Sequence, residues 1–159
     1  MKRKLYVAYG SNMSIDQMKK RCPESLCLGI AKIEGYRLFF KEFATIKKSK
    51  KHGVPILLWS ISPKDEEALD KYEGFPRMYY KADISIDFNG RTLTSMVYIM
   101  SDKRNVTPPS QWYYDVIHAA YLRFDIDLRH LNLALSHTWD LYDRKEVRYH
   151  QRYIFDKDN

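Results

Sequence analysis

Apolar residues in the first sixty positions fall into short runs, which predict strands rather than long helices. The runs are Lys4–Tyr9, Cys27–Ile33, Tyr36–Phe43 and Pro55–Ile61. Glu34-Gly35 separates the second run from the third, and such a break is typical of a turn between two strands. The first part of the chain is therefore predicted to build most of a sheet.

Two later runs, Met78–Asp87 and Arg91–Met100, alternate polar and apolar residues on either side of Asn89-Gly90. Asn-Gly is the strongest short hairpin signal, because both residues tolerate the positive φ angles of a tight turn. We expect these runs to be two antiparallel strands joined at that dipeptide.

Four helices are predicted, the first three of them from residues that favour helix ends. Ser14 begins the first, over Ile15–Arg21, with Gln17 completing a capping box. Ser62-Pro63 supplies an N-cap and a first-turn proline for the second, and Gly74 ends it. The other two are a helix that Pro108-Pro109-Ser110 opens and that runs to about Phe124, and one from about Leu128 to Tyr142.

This order, strands first with helices inserted and then appended, predicts an α+β domain with a mostly antiparallel sheet or small barrel. At 159 residues the chain has the length of a single domain. We expect a core over residues 4–142 and a charged C-terminal tail. The tail also contains Tyr149, Tyr153, Ile154 and Phe155, so part of it is expected to pack against the core.

Composition narrows the possible partners. The formal charge is +7, and its densest part is the lysine segment, Lys47–Lys51, next to His52 and Gly53. We interpret this segment as a solvated loop tip without an aromatic platform for bases, so no nucleic-acid partner is expected. The longest apolar run, Val54–Trp59, is too short to cross a bilayer. Because the N-terminus also lacks a signal-peptide pattern, a cytoplasmic protein is expected.

The metal-ligating residue types do not form a recognisable site. Cys22 and Cys27 make a lone C-x4-C pair, which favours reduced structural thiols over a disulfide or a zinc site. The five histidines are scattered along the chain. We therefore predict no metal.

One candidate site is the stretch VAYGSNMS, Val7–Ser14, where a strand ends at a glycine and a capped helix follows. Gly10 permits positive φ, and its missing Cβ allows another molecule to approach the backbone. Successive N–H groups at such a turn make a concave set of donors suited to an anion. An ordinary strand-to-helix turn explains the same residues equally well.

A second candidate is LDKYEGFPRMYY, Leu69–Tyr80, where Glu73 is the last residue before the helix stop. A carboxylate at a helix C-terminus is disfavoured by the unpaired carbonyl groups. If Phe75, Met78 and the tyrosines also shield it from water, its pKa rises towards neutrality, as general acid–base catalysis requires. The alternative is a solvent-facing glutamate beside an aromatic core.

The two stretches together, with PPSQWYYDVI at Pro108–Ile117, resemble the gamma-glutamylcyclotransferase-like family. The resemblance extends from Tyr6 to about Leu135. It implies a small mixed, mostly antiparallel β-barrel flanked by α-helices. It also implies an enzyme without cofactor or metal, in which the α-amine of a small γ-glutamyl compound attacks the γ-carbonyl and releases 5-oxoproline and a free amine.

The resemblance also implies roles for particular residues. Glu73 matches the family's catalytic glutamate, which would move protons between the two nitrogens. The residues that would bind substrate are Tyr6, Val7, Ala8, Tyr9, Gly10, Ser11, Asn12, Tyr80 and Tyr113.

Two departures from the family concern specificity. Ile56 stands where many relatives have glycine, and its bulky side chain would either narrow the cavity or only reshape a strand edge. The lysine segment is idiosyncratic as well, so the leaving-amine side of specificity stays open. The turn Gly10-Ser11-Asn12-Met13 differs from that of the glutathione-degrading branch, which favours a γ-glutamyl amino acid or γ-glutamyl amine as substrate. The alternative function is a non-catalytic member that binds a carboxylate metabolite or a protein partner. A homodimer is a further possibility, because relatives include monomers and dimers.

Overall fold

The computed structural model describes residues 2–157, and their side chains as far as residue 146. Five strands and four helices follow one another along the chain. They are β1 (Lys4–Ala8), α1 (Ile15–Arg21), β2 (Leu26–Lys41), β3 (Phe43–Ile61), α2 (Pro63–Glu73), β4 (Tyr79–Phe88), β5 (Arg91–Met100), α3 (Gln111–Arg123) and α4 (Arg129–Lys157). A single 3-10 turn, Ser11–Met13, connects β1 to α1.

The strands form one mixed sheet in the order β2-β3-β1-β5-β4. Only the β1–β5 ladder is parallel, while β1–β3, β2–β3 and β4–β5 are antiparallel. The predicted α+β class and the mostly antiparallel sheet are confirmed. The barrel description is approximate, because the sheet is open. Its two edges nevertheless approach each other, since a Cβ atom on Gly29 of β2 would lie 3.5 Å from the ring of Phe88 in β4.

Helix α2 begins at the predicted N-cap, Ser62. Ser62 Oγ accepts a hydrogen bond from the backbone N–H of Asp65, and Asp65 Oδ2 accepts one from Ser62 N–H. Gly74 ends the helix in the left-handed conformation, with φ of 62°. At α1, Ser14 Oγ accepts from Gln17 N–H, but the Gln17 side chain accepts from Arg21 instead of closing the box.

The β-strand predictions need two corrections. The runs on either side of Glu34-Gly35 are one strand, β2, in which a bulge between Glu34 and Tyr36 replaces the expected turn. Gly35 adopts a φ of 80° there, which explains the glycine. The lysine segment is part of β3 and not a loop tip. Lys47 and Lys48 pair with Arg37 and Tyr36 of β2, and the ladder resumes at Gly53, which pairs with Glu34. The turn that joins β2 to β3 is instead at Glu42.

The later elements agree with the sequence. Asn89 and Gly90 adopt φ angles of 51° and 76° at the β4–β5 turn, as a tight hairpin requires. The fourth helix continues beyond its predicted end at Tyr142 to Lys157. The predicted packing of Tyr149, Tyr153, Ile154 and Phe155 concerns side chains outside those described.

Both cysteines are unpaired, with Cys22 buried and Cys27 exposed. Within residues 2–157, none of the helices has the length and apolar character needed to span a membrane.

The apolar core lies between the sheet and the helices. Its largest fully buried side chains include Met13, Met18, Ile33, Phe40, Leu57, Leu58, Leu69, Ile117 and Tyr121. The core therefore fixes the end of β1 and the start of α1 against α2 and α3, and the candidate site lies between these elements.

Candidate active site

A cavity of about 230 Å³ opens where β1 ends, beside the last turn of α2 and the first turn of α3. Its lining consists of Tyr6, Val7, Tyr9, Gly10, Ser11, Asn12, Phe43, Ala44, Tyr72, Glu73, Met78, Tyr79, Tyr98 and Tyr113. The fold thus brings together the two stretches and the third motif that the sequence singled out.

Gly10 is needed at the turn for the space that a side chain would fill. Its φ is −117°, so the predicted positive φ is wrong. A Cβ atom at this position would lie 2.9 Å from Tyr113 Oη and 3.2 Å from the Ala44 Cβ. Both distances are too short for an ordinary contact, so the missing side chain lets α3 and β3 approach the turn.

Glu73 lies at the inner end of α2 with its carboxyl group turned into the cavity. Its Oε1 atom accepts a hydrogen bond from Asn12 Nδ2 at 3.2 Å. Burial raises the pKa of this carboxyl to about 7, and the positive charge of Arg21 opposes the rise. The predicted direction of the pKa shift is confirmed, and its first cause is removal from water.

The aromatic surroundings of Glu73 are only partly those expected. Met78 lines the cavity, whereas Phe75 is 38% exposed and lies beneath the ammonium group of Lys81, 4.5 Å from its ring centre. Tyrosines supply most of the shielding, because six of them line the cavity. Their hydroxyl groups make the walls polar while their rings exclude water.

Asn12 and Tyr6 form a hydrogen-bonded unit with Glu73. Asn12 Nδ2 donates to Tyr6 Oη at 2.9 Å as well as to Glu73. On the other side of the amide, Arg21 donates to Asn12 Oδ1. Sequence reasoning missed Arg21, since it is the last of three consecutive cations at the end of α1, where cations simply suit the helix dipole.

Tyr113 lines the cavity at the first turn of α3. Ser110 caps α3 by accepting from the backbone N–H of Tyr113 at 3.2 Å. The Tyr113 hydroxyl accepts from Ala44 N–H at 3.1 Å, so its own proton remains free to be donated. Burial raises the pKa of this hydroxyl, and it stays protonated at neutral pH.

Two residues assigned from the sequence do not line the cavity. Ala8 is fully buried in the core. Tyr80 is 45% exposed, and its neighbour Tyr79 lines the cavity instead and donates to the Ala44 carbonyl at 2.8 Å. Successive side chains of a strand point to opposite faces, so only one of this pair can reach the site.

Six lining residues were not assigned catalytic or substrate-binding roles from the sequence, namely Phe43, Ala44, Tyr72, Met78, Tyr79 and Tyr98. Phe43 and Ala44 follow the tight turn at Glu42, and only the pairing of β2 with β3 brings them to the cavity. Ile56 and the lysine segment, by contrast, are absent from the described lining, and Ile56 is fully buried. Any effect of these two departures on the leaving amine is therefore indirect.

The fold and this cavity define a class of protein. The solved structure of a gamma-glutamyl cyclotransferase superimposes with a TM-score of 0.76 at 22% identity, over 84% of this chain and 86% of that chain. Gamma-glutamylcyclotransferases from Bos taurus and Homo sapiens are 28% and 26% identical over 127 residues, which covers 71% of this chain and 67% of each relative.

The family model for gamma-glutamyl cyclotransferase, AIG2-like, matches residues 6–115. The chain therefore belongs to this family, and it is an enzyme of the gamma-glutamylcyclotransferase type. The matched segment contains every residue of the cavity lining.

Proposed function

We propose that this enzyme releases 5-oxoproline and a free amine from a small γ-glutamyl amino acid or γ-glutamyl amine. The α-nitrogen of the substrate forms a bond to its own γ-carbon, and the bond from that carbon to the leaving nitrogen breaks. Nucleophile and electrophile belong to one molecule, so the site has to fold the substrate and help move two protons from the α-nitrogen to the leaving nitrogen.

The observation that carries this proposal is the position of Glu73, a half-buried residue whose carboxyl group faces the cavity and accepts from Asn12, with a pKa raised to about 7. In the proposed reaction Glu73 removes a proton from the α-ammonium, which makes the nitrogen a nucleophile. It then returns that proton to the leaving nitrogen as the bond to the γ-carbon breaks. The ring nitrogen then loses its second proton to the released amine, which leaves as an ammonium ion, so no net proton is gained or lost.

The raised pKa matters because of the proton that must be taken. Each pKa unit by which the carboxyl is raised lowers the free-energy cost of proton transfer from the α-ammonium by about 1.36 kcal/mol. The rise from 4.5 to about 7 therefore lowers that cost by roughly 3 kcal/mol. Burial of Glu73 thus makes the nucleophile easier to activate.

The remaining lining suits a γ-glutamyl group. Among the described residues it contains no lysine, arginine or histidine, so the α-carboxylate and the developing oxyanion would be held by hydroxyl and backbone donors. Tyr6 and Tyr113 both accept from protein groups, at 2.9 Å and 3.1 Å, which leaves their own protons for the substrate. Donors fixed in this way stabilise developing negative charge without having to reorganise.

The test is a screen of γ-glutamyl amino acids, γ-glutamyl amines and glutathione for 5-oxoproline release by mass spectrometry. Glu73→Gln should lower turnover by roughly 10²–10⁴ while the fold survives, because the amide cannot accept the proton. Glu67→Gln is the matched control, since Glu67 lies on the same helix and its carboxylate is exposed beside Lys71. An active Glu73→Gln protein would overturn the role of Glu73.

The cytoplasmic location and the homodimer stay predictions from the sequence. Cell fractionation tests the first, and light scattering of the purified chain tests the second.

A further inference from the structure

The Asn12 side chain has all its hydrogen-bonding groups engaged. Nδ2 donates to Tyr6 Oη at 2.9 Å and to Glu73 Oε1 at 3.2 Å. Oδ1 accepts from an Nη atom of Arg21. The backbone carbonyl of Asn12 accepts from Trp59 Nε1 at 3.1 Å, which fixes the backbone as well.

Arg21 decides which way the Asn12 amide faces. A guanidinium group has donors and no acceptor, so the amide must turn its oxygen towards Arg21 and its nitrogen away. The nitrogen then faces Tyr6 and Glu73, two groups that need a donor. An ionised Glu73 favours the same orientation, but a protonated Glu73 could donate to the amide oxygen, and Arg21 excludes the opposite orientation in both states.

Arg21 is itself held in place by an aromatic ring and an amide. Its guanidinium carbon lies 3.3 Å from the centre of the Tyr72 ring, and Nη2 donates to Gln17 Oε1 at 3.3 Å. Tyr72 precedes Glu73 on α2, and its hydroxyl lies 2.9 Å from Ser11 Oγ. The planar stack therefore joins the end of α1 to the helix that carries Glu73.

The orientation of Asn12 distinguishes the two oxygens of Glu73. Oε1 accepts the hydrogen bond from Asn12 Nδ2, whereas within the described residues Oε2 has no hydrogen-bond partner. We propose that Arg21 is a positioning residue for the reaction: through Asn12 it holds Glu73 so that Oε2 is the oxygen that takes the substrate's proton. This inference rests on the proposed function. Arg21 also opposes the burial of Glu73 through its charge, so its removal should raise the pKa of that carboxyl further.

The pH dependence of the rate separates two possible effects of Arg21, one on the orientation of Glu73 and one on its ionisation. A charge effect changes the fraction of Glu73 that is ionised, so it disappears on the alkaline plateau of the rate, where Glu73 is fully ionised. A misoriented carboxylate remains slow on that plateau. The plateau value of kcat is therefore the measurement that reports on positioning.

The experiment compares Arg21→Gln with Lys20→Gln, an exposed neighbour on the same helix that loses the same charge. We expect Arg21→Gln to lower the plateau kcat about tenfold or more with a smaller change in KM. The Glu73 titration, followed by carbon NMR in the substrate-free protein, should move to higher pH. Lys20→Gln should change neither the plateau kcat nor the Glu73 titration. Arg21→Lys should recover part of the rate, because lysine, unlike glutamine, can only donate to the Asn12 amide, and because it restores the charge. Melting temperatures identify any variant that loses its fold.

The outcomes separate the two proposals. If the wild type is active and a folded Arg21→Gln protein keeps the wild-type plateau kcat, the inference about Arg21 is wrong and the proposed function stands. If Arg21→Gln lowers the rate but Arg21→Lys recovers none of it, the effect is loss of packing on Tyr72 and the inference is again wrong. If the wild type releases no 5-oxoproline from any compound in the screen, the proposed function fails. The NMR titration then still shows whether Arg21 controls Glu73.

Discussion

The hydroxyl oxygen of Tyr113 lies 2.9 Å from the position that a Cβ atom on Gly10 would occupy. The two residues are far apart in the sequence, yet this contact closes one wall of the cavity. Tyr113 cannot easily retreat, because its oxygen accepts from the backbone N–H of Ala44 at 3.1 Å. The absence of a side chain at Gly10 therefore allows α3 to pack against the site.

Gly10→Ala should destabilise the protein by about 1–3 kcal/mol, because the added methyl group overpacks the contact with Tyr113. Tyr113→Phe removes the oxygen that is overpacked, so the same glycine change should cost less in that background. Urea unfolding of the two single variants and the double variant measures this coupling. An equal cost of Gly10→Ala in both backgrounds would show that Tyr113 is not the obstacle.

The rate of the wild-type enzyme should rise with pH through about 7, the pKa of Glu73 in the substrate-free protein. The reason is that the proposed base must be ionised, and kcat/KM reports the pKa of the free enzyme. A profile of kcat/KM from pH 4 to 9 measures it. An acid limb centred near the ordinary glutamate value would show that burial does not raise the pKa of Glu73.

The difference in the free energy of unfolding between Glu73→Gln and the wild type should depend on pH. The folded-state pKa of Glu73 is raised from 4.5 to about 7, so the protonated carboxyl stabilises the fold below about pH 4.5. This contribution is lost as the pH rises through 7. The neutral amide avoids that loss, and Glu73→Gln should be more stable than the wild type by about 1–3 kcal/mol at pH 8.

The check is a series of urea unfolding curves at pH 4, 6 and 8 for the wild type, Glu73→Gln and Glu67→Gln. At pH 4 the wild type and Glu73→Gln should nearly coincide, because Glu73 is then largely neutral in both states. A constant difference between these two proteins at every pH would mean that the titration of Glu73 is not coupled to folding.

Local signals predicted the elements that carry Glu73 and the β4–β5 hairpin. The N-cap at Ser62, the proline after it and the left-handed Gly74 all act within a few residues of chain. Asn89 and Gly90 act in the same local way at their turn. Such features need no knowledge of the rest of the fold.

The remaining parts of the site depend on pairing between distant segments. Glycine at position 35 is compatible in sequence with either a turn or a β-bulge. The bulge forms because β2 and β3 pair on both sides of it. Arg21 acquires its role only when α1 packs beside Tyr72. In β4, Ile84 and Ile86 are buried, and strict alternation of inward and outward side chains along the strand would turn Tyr80 inwards as well. In the structure, Tyr79 is instead the residue that lines the cavity.

The lysine segment should be dispensable for turnover. Lys47, Lys48, Lys50 and Lys51 have exposed side chains on β3, and none of them is among the described residues of the cavity lining. Changing all four to serine should leave kcat and KM for a neutral leaving amine within about twofold of the wild-type values. The reason is that salt screens the charges of exposed side chains that lie outside the cavity. A collapse of kcat in the folded variant would show that the segment belongs to the site.

Tyr79 and Tyr80 give the sharpest test of which face of β4 forms the site. Tyr79→Phe removes a buried hydroxyl that donates to the Ala44 carbonyl at 2.8 Å. Leaving that carbonyl unpaired should cost about 1–3 kcal/mol of stability. Turnover should fall as well, because Tyr79 and Ala44 both line the cavity. Tyr80→Phe makes the same chemical change at an exposed side chain and should alter stability by less than about 0.5 kcal/mol.

Urea unfolding and 5-oxoproline release, measured on both variants, decide between the two residues. Loss of activity in Tyr80→Phe with normal activity in Tyr79→Phe would place the substrate on the outer face of β4. That result would restore the assignment made from the sequence, and it would mean that the cavity beside Glu73 is not where the γ-glutamyl group binds.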